Sequence, residues 1–282
     1  MPTTTENVKY WSSYDWSGKG EEWTVGYSPT GYGKPSVERA WHAAVYPRLR
    51  GFLPTGTILE LAPGYGLWTR MLRPLCERMI LVDLTPNCID HCRNDFGTKD
   101  MQYVVNDGKS LEAVPNSAVD FVFSWHSLVH CERDVMQTYA AQLFHKMKPG
   151  AYGLIHHSNF AEFVDPATKK PRIENTQWRG MTMSAGAFRE DCRAAGLACV
   201  YQEIVPWGYE HLVDCFSLFK KPSTRNAPPP RERTGTPASR RGLRRVHRGA
   251  QSVLLAAHPR RGTPLRAVHT RLNRSRAADN AR

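Results

Sequence analysis

The chain has 282 residues, room for one α/β domain with a full core plus decoration. Its formal charge of +12 lies wholly in residues 222–282, where fifteen arginines and no lysine face only Glu232 and Asp279 for a local +13, so residues 1–221 sum to −1 and carry no general nucleic-acid signal. No apolar run approaches the ~20 residues that span a bilayer, the opening Met1-Pro-Thr-Thr-Thr-Glu-Asn7 lacks a signal peptide's basic start and apolar core, and seven cysteines without a C-x-x-C pair fit reduced thiols; the expected setting is cytoplasmic, with no membrane partner.

Residues 1–36 are aromatic and polar, with Tyr10, Trp11, Tyr14, Trp16, Trp23, Tyr27 and Tyr32 among Ser, Gly and Asp. They show neither helical nor strand period and are expected to form a cap or lid. Ser36 suits the N-cap of a helix running to about Phe52, which Pro54-Thr-Gly56 ends. A strand over 57–61, a glycine turn, a helix over 66–77 and a strand over 79–83 follow. Thr85-Pro86 opens a helix to about Phe96, with Pro86 in its first turn. A strand over 101–105 ends in Asn106-Asp-Gly108. Val119-Asp-Phe-Val-Phe-Ser124 is nearly all apolar, as expected of a strand buried on both faces. A helix from Arg133 to Met147 stops at Lys148-Pro-Gly150. Then come a strand over 152–157, a Ser184-capped helix to Gly196, and strands over 198–205 and 212–219.

This alternation predicts an α/β fold: a doubly wound, Rossmann-like, seven-stranded sheet whose short last link makes an antiparallel edge hairpin. Three segments follow: the cap over 1–36, the domain over 37–221 and the Arg/Pro-rich tail over 222–282. The tail has no Phe, Trp, Tyr, Ile, Met or Cys, so it cannot bury enough apolar surface to offset chain entropy and is expected to be disordered. Ser239-Arg-Arg-Gly-Leu-Arg-Arg-Val-His-Arg248 has the charge to bind RNA, DNA or anionic lipid. Yet no aromatic interleaves with the arginines to stack bases. Arginine without lysine, among many Pro, Ala and Gly, is also what GC-rich DNA gives outside an evolved frame. Nucleic acid is therefore not the expected partner.

The chemistry centres on Ile58-Leu-Glu-Leu-Ala-Pro-Gly-Tyr-Gly-Leu-Trp-Thr69 and Leu81-Val-Asp-Leu-Thr85. A strand ending in Glu60, a Gly64-x-Gly66 turn, a helix, and a second strand ending in Asp83 form a nucleoside-binding βαβ unit. The glycines let the backbone turn tightly and approach a ligand. Asp83 stands where a carboxylate accepts hydrogen bonds from two ribose hydroxyls. A dinucleotide site would carry a third glycine and seat a pyrophosphate on the helix N-terminus. Here that glycine is missing, and Glu60 would repel a pyrophosphate. The same acid suits an ammonium, which points to S-adenosylmethionine (SAM) as cofactor.

The order of elements over 38–221 resembles that of class I SAM-dependent methyltransferases. Glu60-Leu-Ala-Pro-Gly-Tyr-Gly66 resembles their first motif, with Ala62 in place of the usual first glycine. The resemblance implies that Glu60, Ala62, Gly64 and Gly66 line the cofactor and that Asp83 binds its ribose. It implies that Asp107 with Gly108 meets the adenine amino group, and that Asp120-Phe-Val-Phe-Ser-Trp125, through Ser124, faces the methionine part. Tyr14-Asp-Trp-Ser17, Gly20-Glu-Glu-Trp23, Asn106-Asp-Gly-Lys-Ser-Leu111, Ser127-Leu-Val-His130, His156-His-Ser-Asn159 and Asp214-Cys-Phe-Ser217 are similar to a bacterial subfamily associated with saccharide and cell-surface glycan synthesis.

An alcohol acceptor loses a proton during methyl transfer, so a base is expected at the carboxyl ends of strands four and five. Four histidines fall there: His126, His130, His156 and His157. Neighbours on a strand point to opposite faces, so one of His156 and His157 faces the cleft. The expected base is His157, with His130 next. His126, Trp178 and Arg179 are the expected acceptor contacts, Trp178 as a stacking face for a sugar ring. Asp214 is an alternative base or an acid that orients a histidine. No metal is assigned, because His126, His130 and Cys131 have no carboxylate pair beside them. The expected activity is O-methylation of a small molecule, a saccharide or glycan precursor. N-methylation of a small amine or nucleic-acid base, and a non-enzymatic SAM-dependent RNA-binding or regulatory protein using the tail, are the alternatives.

Overall fold

The computed structural model describes residues 3–27, 36–207 and 210–223, so the tail reading lies, from residue 224 on, outside the described residues. Seven strands, β1 (Thr55–Leu61), β2 (Cys76–Asp83), β3 (Met101–Val105), β4 (Val119–Ser124), β5 (Met147–Ser158), β6 (Ala198–Val205) and β7 (Asp214–Lys220), form one mixed sheet in the order β3-β2-β1-β4-β5-β7-β6. The first five pair in parallel, and β7 runs antiparallel to both β5 and β6. The order reverses between β1 and β4, and ligands of open α/β sheets lie at the carboxyl ends of the strands there.

Each face of the sheet has its own core. Leu49, Leu72, Ile89, Phe121, Phe123, Trp125, Leu154 and Phe216 pack on one face, under α2 (Val37–Ala40), α3 (Tyr46–Leu49), α4 (Thr69–Leu72) and α5 (Pro86–Phe96). Val122, Met136, Leu143, Ile155, Phe188 and Phe219 pack on the other, under α6 (Arg133–Lys146) and α7 (Ala185–Ala194). Alternation along β4 and β5 thus decides which core each side chain joins.

Four local departures from the sequence expectation have physical causes. Residues 1–36 include α1 (Thr4–Ser12), started by a capping box in which Thr3 and Glu6 satisfy each other's backbone N–H. The helix from Ser36 is interrupted by a π-helical turn, Trp41–Val45, just ahead of Pro47, which has no N–H to continue the α ladder. The helix expected over 66–77 shrinks to α4 and a 3₁₀ turn, Arg73–Leu75, around Pro74. Lys148-Pro-Gly150 is not a break between elements, because β5 begins at Met147 and a register shift against β4 between Val119 and Phe121 absorbs it.

Candidate functional site

The glycine turn leaves β1 with three left-handed positions at alternate residues. Ala62, Gly64 and Gly66 have φ of 54°, 57° and 76°. Glycine takes such angles without strain, whereas alanine costs about 1–2 kcal/mol there. Ala62 is held by its N–H to Val82 O at 2.7 Å and by Ser127 Oγ donating to its carbonyl at 2.8 Å. The second bond ties the turn to the loop after β4. A Cβ on Gly64 would lie 2.8 Å from the Trp16 ring, so the bare backbone is what lets the N-terminal segment approach.

Asp83 ends β2 almost fully buried. Oδ1 accepts from Thr85 N–H at 2.8 Å and Thr85 Oγ1 at 2.6 Å, and Oδ2 accepts from Gly64 N–H at 3.2 Å. A carboxylate has about four acceptor sites, so one on Oδ2 remains. Burial raises the Asp83 pKa against the pull of these bonds. Glu60 is buried beside it and accepts from Thr69 Oγ1 at 2.7 Å. Burial, reinforced by Asp83, pushes Glu60 up to about 8, so it holds a proton at neutral pH. Asp107 is exposed; Oδ1 accepts from the N–H groups of Lys109 and Ser110, which lower its pKa. Gly108, at φ 83°, gives its missing Cβ's space to Thr4.

The carboxyl end of β4 carries unpartnered polar atoms. Ser124 Oγ, Trp125 Nε1 and both ring nitrogens of His126 are shielded from solvent and have no hydrogen-bond partner. Buried polar atoms are rarely left so unless something else meets them. His126 also has φ 68°, disfavoured for any residue with a Cβ. Its ring lies 4.9 Å from Trp207 and 5.6 Å from His156, centre to centre.

His130 closes the 3₁₀ turn Leu128–His130. Its Nδ1 lies 3.0 Å from the Trp178 carbonyl, which can only accept, so Nδ1 carries the proton and Nε2 keeps its lone pair. Burial pushes its pKa down to about 4. Trp178 is 49% exposed, sits at φ 54° and packs 4.6 Å from the Tyr10 ring.

Two expected site residues are turned elsewhere. His157 does not share the cluster at the end of β4. It faces the α7 core, with Nδ1 to Ser158 O at 2.8 Å, Nε2 to Ser217 Oγ at 2.7 Å and its ring stacked on Phe188. The alternation along β5 instead sends His156 to the Trp125 and His126 side. Arg179 is not offered to an acceptor. It is buried, and its Nε and Nη2 donate to Asp214 Oδ1 and Oδ2, each at 2.8 Å.

His156, passed over for His157 as the expected base, meets Asp214, which the sequence reading offered as an alternative base or as an acid that orients a histidine. Register pairs Ser158 with Asp214 and His156 with Phe216, so the start of β7 comes against the end of β5. Asp214 Oδ2 then stands 3.3 Å from His156 Nε2. Burial draws the Asp214 pKa up, but His156 and Arg179 outweigh it and the net shift is downward. The available signal was an acid opening the apolar run Asp214-Cys-Phe-Ser-Leu-Phe219, since an acid is retained there only when paired.

His126, His130, His156 and His157 all have pKa values lowered by burial. A folded state that keeps them neutral binds fewer protons than the unfolded chain below about pH 6.5, so stability falls as pH drops from there toward 4. Glu60 and Asp83, both raised by burial, act with the opposite sign, Glu60 between about 4.5 and 8, but they are two groups against four. Thermal melts are expected to show a falling Tm across pH 6.5 to 4.5. A level Tm would contradict the buried neutral histidines. Among the described residues, no group of three or more His, Cys, Asp or Glu is arranged to hold a metal ion, and no helix is long and apolar enough to cross a membrane.

Comparison with known proteins agrees with this fold. Residues 58–150, from β1 to the start of β5, match the family model described as a methyltransferase domain. A protein named "Methyltransferase" from Claviceps purpurea (strain 20.1) is 26% identical over 137 residues, 47% of this chain and 41% of that protein. The chain thus spans under half the length of the curated relative it matches. The solved DhpI–SAH complex superposes with a TM-score of 0.52 at 19% identity, over 78% of this chain and 97% of that one. A SAM-dependent methyltransferase from Clostridium acetobutylicum gives 0.51 at 12%, over 66% and 92%. At such identities the likeness is one of fold. The chain carries the class I SAM-dependent methyltransferase fold, with the methyltransferase-domain match at its β1–β5 core.

Proposed function

We propose that this chain is a SAM-dependent methyltransferase acting on a hydroxyl of a small molecule, a saccharide or glycan precursor. Three features suit SAM: a glycine turn that a Cβ would fill, one open acceptor site on Asp83, and Asp107 Oδ2 left over from its turn. Glu60 would meet the ammonium on giving up the proton it holds at neutral pH, and Ser124 Oγ is available to the methionine part. When bound, SAM supplies a methyl group on a sulfonium leaving group.

The observation that carries the acceptor side is His130, neutral, oriented by the Trp178 carbonyl and left with an Nε2 lone pair, in the loop that follows the unpartnered atoms of Ser124, Trp125 and His126. His130 Nε2 would hold the acceptor hydroxyl and take its proton, while the S–CH3 bond gives way to the new O–CH3 bond and leaves a neutral sulfide. His126 orients the acceptor. The exposed face of Trp178 stacks on a sugar ring. A positioned base adds ~10²–10⁴-fold, so His130→Gln is expected to lower kcat by ~10²-fold or more. The base works unprotonated, so kcat/KM rises with pH through about 4 and is level near neutrality. An acid limb near 6.5 would remove His130 from this role. The screen uses methyl-labelled SAM against hydroxylated sugars and nucleotide sugars, with amines as the contrasting set; label found only on amines would overturn the O-methyl reading.

The N-terminal segment covers both halves of this site. Trp16 stacks on Tyr65 at 4.7 Å, Asn7 Nδ2 donates to His130 O at 3.4 Å, and Trp11 packs 5.4 Å from the His130 ring. It acts as the lid, so removing residues 1–36 is expected to weaken binding of S-adenosylhomocysteine (SAH) tenfold or more by calorimetry. Unaltered affinity would end the lid idea.

A further inference from the structure

His126 sits in a backbone conformation its own side chain disfavours, and one contact holds it there: its N–H donates to Nδ1 of His156 at 3.3 Å. That contact requires Nδ1 to be unprotonated, so neutral His156 carries its proton on Nε2. Nε2 lies 3.3 Å from Asp214 Oδ2, at ion-pair distance but without the alignment of a hydrogen bond, and the Asp214 carboxylate is gripped through both oxygens by Arg179. Of this set, His156 and Asp214 are 0% exposed and Arg179 4%, so water does not stand in for a lost partner. The chain of contacts joins the loop ahead of α7, the start of β7, the end of β5 and the residue just past β4. It ends on a peptide N–H, which has no proton to pass on, so it cannot relay a proton to a substrate.

We infer that Arg179, Asp214 and His156 form a positioning network for His126: Asp214, clamped by Arg179, sets His156 in its Nε2–H form, and the Nδ1 lone pair anchors the His126 backbone in its left-handed conformation. This deepens the proposed function, because His126 is the residue that reading gives to the acceptor. The charged groups facing His156 are Asp214, Arg179 and the Arg48 guanidinium, which lies 5.0 Å over the Phe216 ring and is paired with Glu203. Arg48 is answered by Glu203, which leaves Asp214 as the carboxylate that meets the ring. Asp214, Arg179 and His156 are positioning residues rather than catalytic ones.

The test needs no acceptor. Selective [15N]histidine labelling of the full chain limits the NMR spectrum to eleven residues. Ring-nitrogen shifts are expected to report His156 as the pure Nε2–H tautomer. The His126 amide is expected to exchange slowly with solvent. His156→Phe removes the acceptor and is expected to speed His126 exchange at least tenfold while the His157 amide in β5 stays protected. His156→Asn, whose side-chain carbonyl lies close to the Nδ1 position, is expected to keep the rate within threefold. Replacing Asp214 with Leu and Arg179 with Met together removes both charges and is expected to leave His156 a mixture of tautomers.

Three results would overturn the network: an Nδ1–H tautomer in the wild type, a His126 rate within twofold of wild type in folded His156→Phe, or a pure Nε2–H tautomer in the double variant. If His156→Phe fails to fold, as loss of His157 protection would reveal, the wild-type tautomer and His156→Asn decide. SAH titration of the same wild-type sample separates the two proposals. No binding beside a confirmed network sinks the methyltransferase reading alone; binding beside a failed network sinks this inference alone.

Discussion

Asp83→Ala is expected to weaken SAH binding to the full chain by ~10–10²-fold, the worth of about one hydrogen bond to a charged group (roughly 1.5–3 kcal/mol). One bond is the right count, because Thr85 and Gly64 already use three of the acceptor sites and Oδ2 keeps one. The Gly64 contact at 3.2 Å is the longest of the three and the easiest to exchange for a ribose hydroxyl. Alanine also releases the Gly64 and Thr85 amides that shape the turn. Asp83→Asn keeps one acceptor oxygen and is expected to fall between wild type and Asp83→Ala. Calorimetric titration measures all three, and equal affinities would show that Asp83 does not meet the ligand.

The second large effect is on stability. Asp214→Ala leaves the Arg179 guanidinium buried without its carboxylate and His156 without the group facing Nε2. Breaking a buried pair on one side costs about 3–5 kcal/mol, whereas replacing both partners with apolar residues is often near neutral. At ~2–4 °C per kcal/mol for a domain of this size, Asp214→Ala is expected to lower Tm by ~6–20 °C. The double change of Asp214 to Leu and Arg179 to Met is expected to recover most of that loss. Calorimetric melts decide it. A single variant that melts within ~2 °C of wild type would mean that water reaches the pair and that the site is less closed than its burial indicates.

The sheet was legible because its signals are local. Runs such as Val119–Ser124, the glycine turn after Leu61 and the short return from β6 to β7 each specify an element without tertiary knowledge. The same holds for Glu60, Gly64, Gly66 and Asp83, since a strand end, a turn and a second strand end fix their neighbourhood. The acceptor side was less legible, since it depends on register. Which of His156 and His157 joins the end of β4 is a matter of strand phase, and the register shift facing Val119 lies in that same strand pair. Arg179 and Asp214 lie 35 residues apart and meet only through the loop ahead of α7. The N-terminal helix was missed for another reason. Its aromatic residues, Tyr10 and Trp11, follow no helical period, because they pack on Trp178 and His130 rather than on the central core. The Thr3–Glu6 capping box was the signal available.

A SAM site at the carboxyl ends of β1 and β2 is tested most directly by titration of the wild-type chain with SAH. One-site binding in the micromolar range is the expected result. A chain that melts cooperatively yet binds no SAH, by calorimetry and by equilibrium dialysis, would contradict it.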